Sequence, residues 1–171
     1  MYFFLLILPL VPCTHSARIL GVSLFPTYSH QKVFHPIWHE LSLRGHEVTV
    51  CTTFPLNDPN LTNLTEIDIS FQHDNTQHAP PDFLSKEINM FEDFHNIVNY
   101  FDFIAETALN HPRFKNFLET RAENFDLIIL ECFYPVLYGL SRKFQAPTVC
   151  VSSFGALTVF QDVVGNPSHP T

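Results

Sequence analysis

Hydrophobic residues recur along the 171-residue chain with two different spacings. Runs of consecutive apolar residues are typical of strands buried on both faces, and apolar residues three or four positions apart are typical of helices packed on one side. The apolar runs predict strands over 17–25, 46–52, 125–133 and 148–153, and the alternation of polar and apolar residues predicts a strand over 66–71. The helical spacing predicts helices over 31–44, 83–108, 111–124 and 134–144.

This alternation of strands and helices predicts an α/β fold with an open, doubly wound, mostly parallel, Rossmann-like sheet. At the first helix, Ser29 can cap the start, Pro36 should loosen the first turns, and Gly45 lies where a helix ends. The buried face of this helix is predicted to contain five apolar residues, namely Val33, Phe34, Ile37, Trp38 and Leu41.

The second predicted helix carries an apolar stripe of Phe91, Phe94, Val98, Phe101 and Ala105. The chain contains 18 Phe, which can form a core or line a pocket for apolar ligands. Core packing is the simpler interpretation for most of these rings. Phe91 and Phe94 are candidates for contact with a lipophilic ligand.

The composition excludes one class of partner. With 46% hydrophobic and 15% charged residues, the chain can bury the core of one domain. Its net charge of −8 argues against nucleic-acid binding, which needs a clustered basic face. The chain also lacks the glycine-rich loops that hold phosphate groups, because it contains only five glycines and none of the usual spacings.

An uninterrupted apolar segment, residues 2–12, predicts a secretory signal peptide over 1–16 and a mature domain over 17–171. The alternative interpretation of this segment is a buried first strand. Sequons at Asn60 and Asn63 predict glycosylated surface sites, which agree with a location in the endoplasmic reticulum lumen or the secretory pathway.

Four cysteines are present, and Cys13 belongs to the predicted signal peptide. Cys51, Cys132 and Cys150 lack the spacing of a zinc site, so small buried thiols are the simplest interpretation. A disulfide between Cys132 and Cys150 requires that their two strands are neighbours.

His30 and Glu131 are the candidate catalytic residues. His30 follows the first strand and Glu131 ends the fourth, so a strand order of 3-2-1-4-5 would bring both to one crevice. A histidine oriented by a carboxylate can act as a general base. The alternative is a solvated loop histidine. His35 and His39 have a metal-like spacing, but they lack a third ligand and fit a solvated helix face, so no metal site is predicted.

The segment "RILGVSLFPTYSHQKVFHPIWHELSLRGHEVTVCTTFP" resembles the start of mature UDP-glycosyltransferases of the UDP-glucuronosyltransferase family, particularly the insect members. The segments "FDLIILECF", "LSRKFQAPTVCVSS" and "GNPSHPT" are similar to the same family further along. The resemblance covers nearly the whole chain after residue 16, and it rests on the order and spacing of "SHQ" and "RGHEVTV".

The resemblance implies the N-terminal, acceptor-binding domain of a GT-B glycosyltransferase. In this family the histidine of "SHQ", here His30 beside Ser29, deprotonates the hydroxyl of a small lipophilic acceptor. The supporting acid is often Asp, and Glu131 occupies that position with one additional methylene group. The UDP-sugar is a co-substrate, with no other cofactor, and the family binds it mainly through a C-terminal domain that also carries the membrane anchor.

That C-terminal domain is not found in these 171 residues, so we expect no sugar transfer from the chain alone. A second hypothesis is a truncated, non-catalytic lumenal paralogue that binds lipophilic ligands or partners a full-length transferase. A flavodoxin-like signalling domain is a third hypothesis, and the predicted signal peptide and the sequons disfavour it.

Overall fold

The computed structural model describes residues 16–70, 90–121 and 124–153, except for the side chains of residues 90–94. In chain order the elements are β1 (Arg18–Ser23), α1 (Tyr28–Leu43), β2 (Glu47–Thr52), β3 (Leu64–Asp68), α2 (Met90–Asn110), α3 (Pro112–Thr120), β4 (Leu127–Glu131), a 3-10 turn (Pro135–Tyr138), α4 (Gly139–Phe144) and β5 (Thr148–Val151). The predicted signal peptide, apart from Ser16, and the closing "GNPSHPT" lie outside the described residues.

The five strands form one parallel sheet in the order β3-β2-β1-β4-β5. Strand β1 lies at the centre, paired with β2 from Arg18 opposite Glu47 and with β4 from Ile19 opposite Leu127. The order reverses on either side of β1, so the carboxyl ends of β1 and β4 meet at the switch point where such sheets bind ligands. The predicted α/β class and strand order are confirmed.

Gly45 makes the tight connection between α1 and β2. Its φ of +87° is unfavourable for residues with a Cβ, so glycine is suited to this position. The Gly45 N–H donates to the Ser42 carbonyl, and the His46 N–H donates to the Leu41 carbonyl. This pair of bonds satisfies the last carbonyls of the helix in a Schellman motif and directs the chain into β2.

Helices cover both faces of the sheet. On one face Phe34 and Trp38 of α1 pack on Ile19, Val50 and Ile129. On the other face the larger cluster joins the sheet to α2, α3 and α4, and its fully buried members include Leu20, Val22, Ile104, Phe114, Ile128 and Leu137. Burying a large apolar side chain completely contributes roughly 1.5–3 kcal/mol, so these two clusters supply the main driving force for folding.

Helix α1 differs from its prediction in two respects. It begins at Tyr28 after Thr27, so Ser29 lies inside the first turn and does not cap the helix. Its buried residues include the polar Gln31 and Ser42, whereas Val33 is 39% exposed. Hydrophobic periodicity assigns polar residues to the solvent face, and it fails at these positions because both polar side chains form hydrogen bonds with residues outside the helix.

Other boundaries move by a few residues. Strand β3 begins earlier than predicted, at Leu64, and the third helix ends earlier, at Thr120. The predicted helix over 134–144 is a 3-10 turn followed by a short α-helix. On α2, Val98 is 39% exposed, whereas Ile104, Ala105 and Ala108 are buried, so the stripe lies partly on different residues from those predicted.

Trp38 packs so closely on β1 that only glycine fits at position 21. A Cβ built on Gly21 would lie 2.6 Å and 2.8 Å from two ring carbons of Trp38, and this ring is completely buried. The indole is rigid and enclosed, so it cannot relieve the contact without moving α1 away from the sheet.

We therefore expect Gly21→Ala to lower the free energy of unfolding by ~1–3 kcal/mol through overpacking. Gly139→Ala is the matched control, because Gly139 has a helical φ of −58° and no atom within 4 Å of an added Cβ. The control should be neutral or more stable by ~0.5–1 kcal/mol. Urea unfolding followed by circular dichroism measures both, and equal stability of the two variants would contradict the expectation.

Candidate active site

The carboxyl ends of β1 and β4 bring together residues that are about a hundred positions apart in the chain. Glu131 is the last residue of β4 and is completely buried. His30 lies in the first turn of α1, reached from β1 through a short connection. The Nδ1 atom of His30 is 3.8 Å from Oε1 of Glu131, so the structure places the two predicted catalytic residues side by side. This distance is too long for a hydrogen bond.

Both oxygens of Glu131 are held by hydrogen-bond donors. Oε2 accepts bonds from the backbone N–H groups of Leu24 and Phe25, each at 3.1 Å. Oε1 accepts a bond of 3.0 Å from the Ser153 hydroxyl. The carboxylate is thereby anchored to the chain that leaves β1, and its position is fixed by backbone groups of another element.

Ser153 connects His30 with Glu131. Its Oγ lies 2.6 Å from Nδ1 of His30 and 3.0 Å from Oε1 of Glu131. The residue comes two positions after β5, which is the neighbour of β4 in the sheet. This contact was not predicted, and the only signal for it in the sequence was the serine pair that ends the strand predicted over 148–153, beside β4.

An aromatic wall adjoins the histidine. The ring of Phe25 stacks on the His30 imidazole with a centroid distance of 4.1 Å and an interplanar angle of 28°. The rings of Tyr100 and Phe101 in α2 pack near the Phe25 ring, with centroid distances of 6.4 Å and 5.9 Å. Stacking holds the imidazole plane, and the three rings give this end of the sheet an apolar surface.

Two phenols near the site remain protonated at neutral pH. Burial, the charge of Glu131 and the neighbouring Tyr100 raise the pKa of Tyr134 well above its ordinary value. Burial also raises the pKa of Tyr100. Because neither phenol ionises near neutral pH, neither competes with His30 for the role of base.

Gln31, adjacent to His30, is completely buried and fully hydrogen-bonded. Its amide oxygen accepts from the hydroxyls of Ser23 and Thr52, and its amide nitrogen donates to the carbonyls of Ser23 and Phe25. All four hydrogen-bonding positions of the amide are used. The third residue of "SHQ" therefore joins the ends of β1 and β2 to α1 and fixes the turn that carries His30.

The remaining predicted site residues are placed differently. Ser29 is exposed, and its hydroxyl lies 3.5 Å from that of Thr27, away from Glu131. Phe91 and Phe94 lie within α2, and their side chains are outside the described residues. Their roles in ligand binding stay predictions; among the described residues, Phe25 stacks on His30, and Tyr100 and Phe101 pack on Phe25.

The other histidines of α1, His35 and His39, are not grouped with further metal-binding side chains in the described part of the chain. His35 Nε2 is 2.8 Å from the carbonyl oxygen of Phe54, and His39 is exposed. Within residues 16–70, 90–121 and 124–153, no group of three or more His, Cys, Asp or Glu is arranged to hold a metal ion. Among those same residues, none of the helices has the length and apolar character needed to cross a membrane.

The two cysteines near the site lie on neighbouring strands, which satisfies the condition stated for a disulfide. Leu130 pairs with Cys150, and the Cys132 N–H donates to the Val151 carbonyl. Both cysteines are free thiols in the structure. Burial, followed by the adjacent Cys150 and the charge of Glu131, raises the pKa of Cys132 to about 11.

These observations define an α/β domain whose switch point carries a histidine linked through a serine to a buried carboxylate. UDP-glucosyltransferase 2 of Dactylopius coccus is 31% identical over 94% of this chain and 31% of its own length. UDP-glycosyltransferase UGT4 of the same organism is 28% identical over 83% of this chain and 28% of its own. An ecdysteroid UDP-glucosyltransferase of Mamestra brassicae nuclear polyhedrosis virus is 31% identical over 96% of this chain and 34% of its own length.

The chain is related to the UDP-glycosyltransferase family, as its sequence indicated, and it spans about a third of the length of these curated relatives. It matches no family model. A solved structure titled as the glycotransferase of kitacinnamycin covers 88% of this chain with 14% identity and a TM-score of 0.44, a likeness too weak to carry an argument.

The raised pKa of Cys132 predicts slow alkylation at neutral pH. A thiol reacts as its thiolate, and a rise in pKa from 9.0 to about 11 leaves about 100-fold less thiolate below pH 9. We expect iodoacetamide to reach half its maximal rate at Cys132 near pH 11 in the folded chain, as measured by peptide mass spectrometry.

The urea-unfolded chain is the control, because the same cysteine should then alkylate with an ordinary midpoint. Burial slows the reagent at every pH, so the midpoint rather than the rate tests the pKa. A midpoint near pH 9 in the folded protein would contradict the expected shift.

Proposed function

We propose that this chain is the N-terminal, acceptor-binding domain of an inverting GT-B UDP-glycosyltransferase, with His30 as the general base. The observation that carries the proposal is the connection from His30 through Ser153 to the buried Glu131 at the sheet switch point. The curated relatives, named as UDP-glycosyltransferases and UDP-glucosyltransferases, support transfer from a UDP-sugar.

The proposed reaction has one displacement step. A ring nitrogen of His30 takes the proton of the acceptor hydroxyl, and the hydroxyl oxygen forms a bond to the anomeric carbon of the sugar. The bond between that carbon and the UDP oxygen breaks, and UDP leaves with the electron pair. Attack from the face opposite to UDP inverts the anomeric centre. The imidazolium retains the proton, and the Glu131 carboxylate at 3.8 Å stabilises its charge.

The proposed acceptor is a small lipophilic alcohol or phenol. Phe25 stacks on the imidazole, and Tyr100 and Phe101 pack on Phe25, so apolar surface adjoins His30 and favours an aromatic or polycyclic aglycone over a hydrophilic one. Ser29 is exposed beside His30 and would hydrogen-bond a polar group of the acceptor. Phe91 and Phe94 on the same helix as Tyr100 are proposed to extend the apolar pocket.

The proposed donor, a UDP-hexose or UDP-glucuronate, would be bound mainly by a second domain of the family. The diphosphate requires cationic groups or helix N-termini. This chain carries nine Lys and Arg against 17 Asp and Glu and has no glycine-rich phosphate loop. Membrane association is proposed only through the family's C-terminal anchor.

We also propose entry into the secretory pathway, with Asn60 as the glycan acceptor. The Asn60 side chain is exposed, and its amide nitrogen donates to the Asp58 carboxylate within the same turn. In contrast, the Asn63 amide nitrogen donates to the carbonyls of Ser42 and His46, and its oxygen accepts from the Ser42 hydroxyl. A glycan on Asn63 would replace an N–H that the connection between α1 and β2 uses.

His30→Ala should lower sugar transfer by ~10²–10⁴-fold, because the acceptor hydroxyl loses its base. The test uses a chimera that joins this chain to the remaining part of UDP-glucosyltransferase 2 of Dactylopius coccus. A lipophilic phenol and UDP-glucose are the substrates, and product is measured by mass spectrometry.

His39→Ala is the matched control, because His39 is an exposed histidine on the same helix and should leave turnover unchanged. Retention of most activity by His30→Ala would reject His30 as the base. A chimera that binds the phenol but transfers no sugar, even with His30 intact, would favour the non-catalytic binding protein.

Expression through the insect-cell secretory pathway should yield one glycan, which disappears in Asn60→Gln and persists in Asn63→Gln. The second variant should instead lose stability by ~1–3 kcal/mol, because buried backbone carbonyls lose their donor. Mobility before and after glycosidase treatment and thermal unfolding measure the two effects. Loss of the only glycan in Asn63→Gln would contradict the assignment, and cytosolic retention of the native chain would contradict the signal peptide.

A further inference from the structure

The donor and acceptor chemistry of the groups around Glu131 determines the direction of its three hydrogen bonds. Its Oε2 contacts two backbone N–H groups, which can only donate. Its Oε1 contacts the Ser153 hydroxyl, and a carboxylate can only accept. The single proton of the Ser153 hydroxyl is therefore directed at Glu131.

The direction of the bond from Ser153 to Glu131 determines which nitrogen of His30 carries the proton. Oγ of Ser153 has already given its proton to the Glu131 bond, so it can only accept at its second contact. That contact is Nδ1 of His30 at 2.6 Å. Nδ1 must then be the protonated nitrogen, and the Nε2 lone pair is the one that can take a proton.

We propose that Ser153 is a positioning residue that sets the tautomer of His30. Because Ser153 donates to Glu131 in this relay of two hydrogen bonds, it accepts from Nδ1 of His30 and leaves Nε2 as the base. The catalytic meaning of this arrangement rests on the proposed transferase function, whereas the tautomer itself does not. When Nε2 takes a proton, Nδ1 remains a donor to Ser153 and no bond in the relay reverses. Such a preorganised network adds no reorganisation to the proton transfer.

Two other histidines provide an internal comparison. His35 Nε2 lies 2.8 Å from the Phe54 carbonyl, which can only accept, so its proton is on Nε2. His46 Nδ1 accepts a bond from the Ala17 N–H, so its proton is also on Nε2. His30 should thus have the opposite tautomer from both.

The Glu131→Gln variant distinguishes the proposed role of Ser153 from simple packing, because only the proposed role predicts a change in the His30 tautomer. The backbone N–H groups of Leu24 and Phe25 require an acceptor, so the amide oxygen must face them. The amide NH₂ then faces Ser153 and donates to its Oγ. The Ser153 proton, no longer accepted by residue 131, then has Nδ1 of His30 as its acceptor in this network, which favours the tautomer with the imidazole proton on Nε2. The isosteric change should invert the tautomer.

Long-range ¹H–¹⁵N spectra of the 171-residue chain test this directly, at an alkaline pH where the imidazoles are neutral. The His30 signals are assigned by their loss in His30→Asn. We expect the Nδ1–H pattern for His30 and the Nε2–H pattern for His35 and His46. Glu131→Gln should convert His30 to the Nε2–H pattern, Ser153→Ala should give a mixture, and Ser153→Thr should restore the native pattern.

Ser141→Ala is the matched control, because it removes a serine hydroxyl bonded to the Ala146 carbonyl and should leave His30 unchanged. Backbone amide spectra check that each variant folds. An Nε2–H pattern for His30 in the native chain overturns the proposal, even if Glu131→Gln fails to fold. An unchanged His30 pattern in folded Ser153→Ala also overturns it.

The test requires no sugar transfer, so it separates the two proposals. A native Nδ1–H pattern that responds to Ser153 supports the relay whatever the chimera does with UDP-glucose. Failure of transfer in the chimera with this relay intact would count against the proposed function alone.

Discussion

The backbone that leaves β1 must satisfy its hydrogen bonds without the sheet. After Ser23 the chain turns away from the sheet toward α1, with Leu24 completely buried and Phe25 partly buried. Two buried side chains supply partners for this turn, and the Phe25 carbonyl also accepts from the Thr27 N–H and the Thr53 hydroxyl. Glu131 accepts from the N–H groups, and Gln31 donates to the carbonyls of Ser23 and Phe25. A buried backbone group without a partner costs ~1–3 kcal/mol, so this turn depends on both residues.

The same bonds that satisfy the turn also position the chemistry. Gln31 and His30 are consecutive, so fixing the amide of one fixes the first turn of α1 and the direction of the other. Glu131 has one oxygen committed to the backbone and the other to Ser153. Phe25, whose backbone is held on both sides, stacks on the imidazole. The same few contacts therefore stabilise the fold and position the histidine.

The sequence was sufficient for the framework. Apolar runs identified four strands and a polar–apolar alternation identified β3. The condition for His30 and Glu131 to meet, a strand order of 3-2-1-4-5, is fulfilled in the structure. The sequence did not predict the burial of polar side chains that form hydrogen bonds with other elements. Gln31 and Ser42 have no hydrophobic signal, and their burial depends on Thr52 and Asn63, which come from other elements. Ser153 could not be predicted because its role depends on the reach of a side chain across neighbouring strands.

The length of the Glu131 side chain has an evolutionary consequence, namely epistasis between positions 131 and 153. A carboxylate one methylene shorter would be withdrawn by roughly 1.5 Å, which lengthens contacts of 3.0 and 3.1 Å beyond hydrogen-bond range. An aspartate here could not keep both its backbone anchor and the serine, so the chain around it would have to shift. The two positions are thus constrained to vary together, and a lineage that exchanges glutamate for aspartate passes through an intermediate in which Ser153 has lost the acceptor of its proton.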